Sequence, residues 1–156
     1  MIDFIAKIAY YGPVIQHIIV SFLIIVNYMF PYNIEILGVF LFSFIVNSNL
    51  NALLKIIIKQ PRPTGSIDTF EKKEKKNTEP HYYGMPSGHM QNSAYAYFIG
   101  FYLFEDIVFR IIFGLLLIMT FIQRYVYRKH TIPQLIIGTI VGYIFSRLII
   151  SIYKIK

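Results

Sequence analysis

The sequence predicts an all-α integral membrane protein: about five transmembrane helices in an antiparallel bundle, with the active site at one membrane face. Three observations predict it. Hydrophobic residues make up 56% of the 156 positions and the mean hydropathy is +0.55, the composition of a chain whose solvent is partly lipid. Five stretches, Pro13–Phe30, Ile34–Ile58, Gly88–Phe104, Ile107–Val126 and Ile132–Tyr153, are long enough to cross roughly 30 Å of hydrocarbon. No span carries a charge at its centre; Arg147 lies toward one end of the last, where its guanidinium can snorkel outward. A soluble helical protein would show charged faces at helical spacing, whereas Ile111–Ile122 has no charge at all.

Taken in order, the first span follows Met1–Tyr11, which holds Asp3 and Lys7 and lacks the basic leader and small-residue cleavage site of a signal peptide, so the span is expected to be retained. His17 within it reads as a polar residue facing the bundle. The second span places Asn47, Asn51 and Lys55 at intervals of four, hence on one face, suited to interhelical hydrogen bonds or to shaping a pocket. The connection Thr64–Met85 mixes Lys72, Lys73, Lys75 and Lys76 with Glu71, Glu74 and Glu79 and reads as a solvated loop, His81 included. The third span is the least apolar, because His89, Gln91, Asn92 and Ser93 crowd its start. The fourth and fifth are uninterrupted. Trp is absent, and Tyr residues near the span ends take the interfacial place. No repeat divides the chain, which reads as a single membrane-embedded domain over 1–156.

Cysteine is absent, which excludes disulfides and thiolate metal sites. The formal charge of +7 lies in membrane-proximal loops rather than on a basic surface interleaved with aromatics. Anionic membrane lipids or a phosphorylated substrate are therefore the expected partners, and nucleic acid is not.

Short connections make neighbouring spans antiparallel, so the end of the second, the start of the third, the end of the fourth and the start of the fifth meet on one side. These ends read Lys55-Ile-Ile-Ile-Lys59-Gln-Pro-Arg62-Pro63, Pro86-Ser87-Gly88-His89, and Arg124 through His130 to Gln134. Three cations and two histidines with no carboxylate close by in sequence favour an anion with several oxygens. Phosphate fits, since Arg offers a planar fork of donors, Lys a compact charge, and a helix N-terminus its free N–H groups. Ser87 reads as an N-cap, Gly88 as a point of close backbone approach, and His89 as facing the same pocket from the first turn. Lys59, Arg128 and Lys129 read as interfacial anchors. His89 and His130 have no further ligands at metal-binding spacing, so neither a metal nor a cofactor is expected. Pro-Ser-Gly-His is not a nucleophile elbow either.

These three clusters resemble the type 2 phosphatidic acid phosphatase superfamily, integral-membrane lipid phosphatases related to vanadium haloperoxidases. The family signature is K-x6-R-P, P-S-G-H and S-R-x5-H-x3-D. Lys55 with Arg62-Pro63, Pro86-Ser87-Gly88-His89, and Arg124 with His130 match it over Lys55–Gln134, about half the chain. Gln123 stands in place of the signature serine and Gln134 in place of the aspartate. The stretch YGMPSGHMQ and the His130-to-Gln134 spacing look like the dolichyl-diphosphatase branch. The resemblance implies a metal-independent phosphoryl transfer in which His130 attacks phosphorus to give a phosphohistidine and His89 protonates the leaving oxygen. Lys55, Arg62, Ser87, Gly88 and Arg124 would hold the phosphoryl oxygens. Gln134, one helical turn after His130, could accept from the imidazole Nδ1–H and orient it without supplying a negative charge.

The expected substrate is a polyprenyl diphosphate of the dolichyl type. The alternatives are a phosphatidate or phosphatidylglycerophosphate phosphatase, or a catalytically impaired protein that binds lipid phosphate. Many members of the family have six core helices, so a homodimer would cover an exposed face of a five-helix bundle. The membrane is the endoplasmic reticulum or another internal membrane, or the plasma membrane. Most basic residues lie on the site side, which the positive-inside rule makes cytoplasmic; the resembled branch has its site facing away from the cytosol, and both orientations stand at this point.

Overall fold

The computed structural model describes residues 2–28, 34–65, 67 and 82–153. Most of the Lys- and Glu-rich loop, with His81, lies outside them, as does Phe30. The described residues form five helices: α1 (Ile2–Tyr28), α2 (Ile34–Ile58), α3 (Gly88–Leu103), α4 (Ile107–Val126) and α5 (Ile132–Tyr153). Side-chain pairings give their directions. Ser43 and Asn51 of α2 meet Tyr95 and Gln91 of α3, and Ala9 and Gln16 of α1 meet Thr120 and Phe113 of α4, so both pairs are antiparallel. Helices α1, α3 and α5 thus run one way and α2 and α4 the other.

Helices α1, α2, α4 and α5 are long and apolar enough to cross a membrane. Helix α3, of 16 residues, is the central one and packs against all four others. The distribution of side chains is the reverse of a soluble protein's. Phe4, Ile18, Phe22, Phe42, Ile57 and Ile144 point outward, while Gln16, Asn47, Gln91, Ser93, Gln134 and Ser146 are buried. Lipid tails solvate the apolar exterior, and hydrogen bonds inside the bundle satisfy most of the amides. This is a multi-pass membrane fold.

One boundary differs from the sequence expectation. Helix α1 begins at Ile2, not Pro13, and passes through the proline. Proline has no N–H, so the Ala9 carbonyl loses its donor from four residues on, a loss that usually breaks a helix. Here Thr120 Oγ1 of α4 lies 3.2 Å from Ala9 O and 2.8 Å from Leu116 O, and its hydroxyl fills the gap from a neighbouring helix. His17 Nδ1 sits 2.6 Å from Pro13 O, and its ring packs on Phe44 and Phe40 inside the bundle.

The two ends of the bundle are built differently. Away from His89 and His130, a core of Phe40, Tyr95, Phe104, Phe109, Phe113 and Phe145 packs with Ile and Val; the Phe109 and Phe113 rings stack at 4.0 Å. Toward the histidines, α2 and α3 are joined by amides. Gln91 Nε2 donates to Asn47 O and Oδ1, both at 2.9 Å, Asn51 Nδ2 to Gln91 Oε1 at 2.8 Å, and Asn47 Nδ2 to Asn92 Oδ1 at 2.7 Å. Helix α5 closes on α3 at Gly138, where a Cβ would lie 2.5 Å from Ser87 O.

Candidate active site

The candidate site side chains lie at or near helix ends whose local geometry can be explained. Helix α2 stops at Ile58 because Lys59 adopts φ 52°, with its N–H on Lys55 O at 2.9 Å. This left-handed cap turns the chain into Gln60-Pro61-Arg62. Lys55, one turn earlier, is buried at 6% exposure.

The end of α4 is a Schellman turn. Lys129 N donates to Arg124 O at 3.0 Å and Arg128 N to Tyr125 O at 2.9 Å, with Arg128 at φ 50°. That position is usually glycine, and a side chain there costs about 1–2 kcal/mol. The turn keeps Arg128 outside and throws Lys129 and His130 inward, each only 2% exposed. Lys129 is therefore not the interfacial anchor that its place in the sequence suggests. Arg128 and Lys59 are exposed as anchors would be.

Ser87 occupies the N-cap of α3 with φ −68° and ψ 115°, but its hydroxyl makes no capping bond. Its Oγ is buried without a hydrogen-bond partner among the described residues. Leaving such an atom unpaired costs about 1–3 kcal/mol, which a group bonded to the hydroxyl would recover. The Ser87 N–H is taken by Gln134 O at 3.0 Å. At Gly88, the space of the missing side chain is filled by Asn51, whose Oδ1 would lie 2.9 Å from a Cβ. Asn51 Nδ2 also donates to Pro86 O at 3.2 Å. Gly88 thus admits a neighbouring side chain as well as exposing backbone.

The three clusters do converge. The charges of Arg124, Arg62, Lys55 and Lys129 all bear on the His89 ring, and those of Arg124, Arg62 and Lys55 on His130. Arg62 Nη1 reaches Lys129 O at 3.4 Å. Burial first, and then these cations together with His89, hold His130 well below its ordinary pKa of 6.5, so its imidazole is neutral at physiological pH. Its Nδ1 lies 2.9 Å from Gly84 O. A carbonyl can only accept, so Nδ1 carries the proton and the Nε2 lone pair is available for attack.

Gln134 departs from expectation. Its amide does not touch His130: Oε1 accepts from Thr131 N at 3.1 Å, and Nε2 donates to Gln60 Oε1 at 3.0 Å and Pro61 O at 2.9 Å. The reason is local, because Thr131-Ile-Pro-Gln134 opens α5 with the back-bond of a capping box, which draws the amide toward Thr131 N. The orienting acceptor of His130 is a backbone carbonyl, which no residue type in a sequence announces.

Tyr10 of α1, one of the tyrosines expected at the interface, lies beside the candidate site instead. Its ring centroid lies 5.1 Å from that of His89, and the Arg124 guanidinium carbon is 5.6 Å from it. The signal that could have found it is its place seven residues before His17, on the same helical face, once α1 is taken to start before Pro13. Beside His130 opens a cavity of about 630 Å³, with Tyr125, Val126, Ile132 and Pro133 on its apolar side and Thr64 and Arg128 among its polar lining. Among the described residues no group of three or more His, Asp or Glu side chains could hold a metal ion.

Comparison with known proteins adds a family and a fold. Residues 36–156 match the family model of the PAP2 superfamily. The crystal structure of the first transmembrane PAP2 type phosphatidylglycerolphosphate phosphatase from Bacillus subtilis superposes with a TM-score of 0.71 at 21% identity, covering 99% of this chain and 77% of that one. No curated protein sequence matches the chain.

Proposed function

The chain belongs to the PAP2 superfamily, and from that premise we propose that it is a lipid phosphatase hydrolysing a polyprenyl diphosphate or a related lipid phosphate. The observation that carries the reading is the convergence of Lys55, Arg62 and Arg124 on the two imidazoles, beside a buried Ser87 hydroxyl without a protein partner among the described residues. A tetrahedral oxyanion matches that combination of charge and donors.

In the proposed reaction the bound phosphate anion offsets the cations around His89 and lets its imidazole carry a proton; His130 Nε2 attacks phosphorus while the bond from phosphorus to the leaving oxygen breaks, and His89 gives that oxygen its proton. Water then attacks the phosphohistidine, losing a proton to His89, and inorganic phosphate leaves with both histidines restored. Because His130 is backed by a neutral carbonyl, it lacks the extra basicity that a carboxylate would give. A diphosphate tolerates this best, since its leaving group is a lipid monophosphate that departs more easily than an alkoxide. The apolar wall of the cavity beside His130 suits a lipid chain at the membrane boundary.

A second reading has one observation in its favour. The superposed crystal structure is that of a phosphatidylglycerolphosphate phosphatase, so a glycerophospholipid monoester is the competing substrate. Purified protein in detergent with a chelator present is expected to release phosphate faster from a short-chain polyprenyl diphosphate than from phosphatidate or phosphatidylglycerophosphate. The reverse ranking would move the assignment to the monoester. No release from any of the three would leave a lipid-phosphate binder.

A further inference from the structure

We propose that Gln134 serves the reaction at one remove: its amide fastens the Gln60–Pro61 segment against Gly84, and the Gly84 carbonyl held in this way orients His130. The inference rests on the reading of His130 as the attacking residue, and it makes Gln134 a positioning residue, not one that touches substrate.

The contacts form a closed ring. From His130 the chain passes to Thr131, whose N–H is bonded to Gln134 Oε1 at 3.1 Å. Gln134 Nε2 spends its two hydrogens on Gln60 Oε1 and Pro61 O. Gln60 O in turn accepts from Gly84 N at 2.7 Å, and Pro61 pairs with Tyr83 as an antiparallel bridge. Gly84 O then returns to His130 Nδ1 at 2.9 Å. The amide also packs directly on Gly84, where a Cβ would come within 2.5 Å of Gln134 Oε1, so any side chain there would push the amide off its partners.

Chemistry fixes the amide's orientation. Thr131 N–H can only donate and the Pro61 carbonyl can only accept, so a flip would set donor against donor and acceptor against acceptor. For the same reason a carboxylate is a poor replacement. Glutamate keeps the length but loses the donors to Pro61 O and Gln60 Oε1. Aspartate loses the reach as well. The residue that restores the family signature should therefore harm this chain. Through its own carbonyl, Gln134 also holds Ser87 N at 3.0 Å, so one residue ties the loop carrying His130 to the start of α3, which carries His89.

The test compares Gln134→Ala, Gln134→Glu and Gln134→Asp with wild type in kinetics on polyprenyl diphosphate and in nitrogen-15 spectra of histidine, with His130 assigned by its absence in His130→Asn. Each Gln134 variant is expected to lower kcat by about tenfold or more with little change in KM, since misplacing a reacting group is costly while ground-state binding is untouched. Wild type should show His130 as the Nδ1–H tautomer, and Gln134→Ala should show mixed tautomers. Should the variants fail to fold, wild type labelled at glycine carbonyls and histidine nitrogens should still give a dipolar contact between the Gly84 carbonyl and His130 Nδ1. Activity of Gln134→Asp at or above wild type, an Nε2–H tautomer in wild type, or an unchanged His130 signal in Gln134→Ala would overturn the proposal. The spectra need no turnover: a correctly oriented His130 in a protein inert on every lipid phosphate would sink the proposed function alone, and turnover with the wrong tautomer would sink the positioning role alone.

Discussion

The two ends of the bundle hold together by different physics. Away from His89 and His130, stacked aromatic rings with Ile and Val form a core whose contacts are mostly non-directional, so one side chain of similar size can replace another with modest loss. Toward the histidines, the backbone is turned by left-handed residues at Lys59 and Arg128 and fixed by side-chain amides whose donors and acceptors must match. Directional bonds place atoms, and packing places volumes. The difference teaches where stability and chemistry can be altered separately.

The contrast can be broken or sharpened experimentally. The largest expected effect is at the site end: His130→Ala should reduce phosphate release by about 10³-fold or more, while the lost bond to Gly84 O lowers stability by only about 1–3 kcal/mol. Arg124→Lys keeps the charge and loses the planar fork, and kcat should fall about 10²-fold in the same assay; near-normal turnover would mean that Arg124 acts only as a point charge. At the boundary between the two regimes, Thr120→Val removes the hydroxyl that serves Ala9 O beside Pro13. A loss of about 1–3 kcal/mol is expected, read as a lower melting temperature.

Deep in the aromatic core, Phe113→Leu should cost about 1–2 kcal/mol with kcat retained, and a comparable loss of kcat would dissolve the distinction between the ends. The smallest expected effect is a shift in pH dependence. Attack needs neutral His130, whose pKa is held below 6.5 by burial and by the cations, so the acid limb of kcat/KM should lie below pH 6.5. Removing a positive charge favours protonation and raises that pKa. Arg62→Gln should therefore move the limb toward higher pH.

Much of this was legible in the sequence because hydropathy and motif spacing are local. The limits of α2, α4 and α5 follow from long, mainly apolar runs, and antiparallel counting alone brings Lys55, His89 and Arg124 to one side. What was not legible depends on distant or typeless partners. Pro13 reads as a boundary because the donor that rescues its helix, Thr120, lies 111 residues from Ala9. Lys129 reads as an anchor because its inward direction depends on an arginine adopting a conformation usually left to glycine. Gln134 reads as the orienter of His130 by analogy of position. The capping-box pattern Thr131-Ile-Pro-Gln134 was present to say otherwise, but the Gly84 carbonyl that replaces it has no letter of its own.

The amides of Asn47, Asn51 and Gln91 have a consequence for motion. Hydrocarbon chains offer neither donors nor acceptors, so sliding α2 past α3 by one residue would strand these groups with nothing in the bilayer to solvate them. The pair is latched lengthwise, and the lysine on one helix and the histidine on the other keep their relative height whatever the surrounding lipid does.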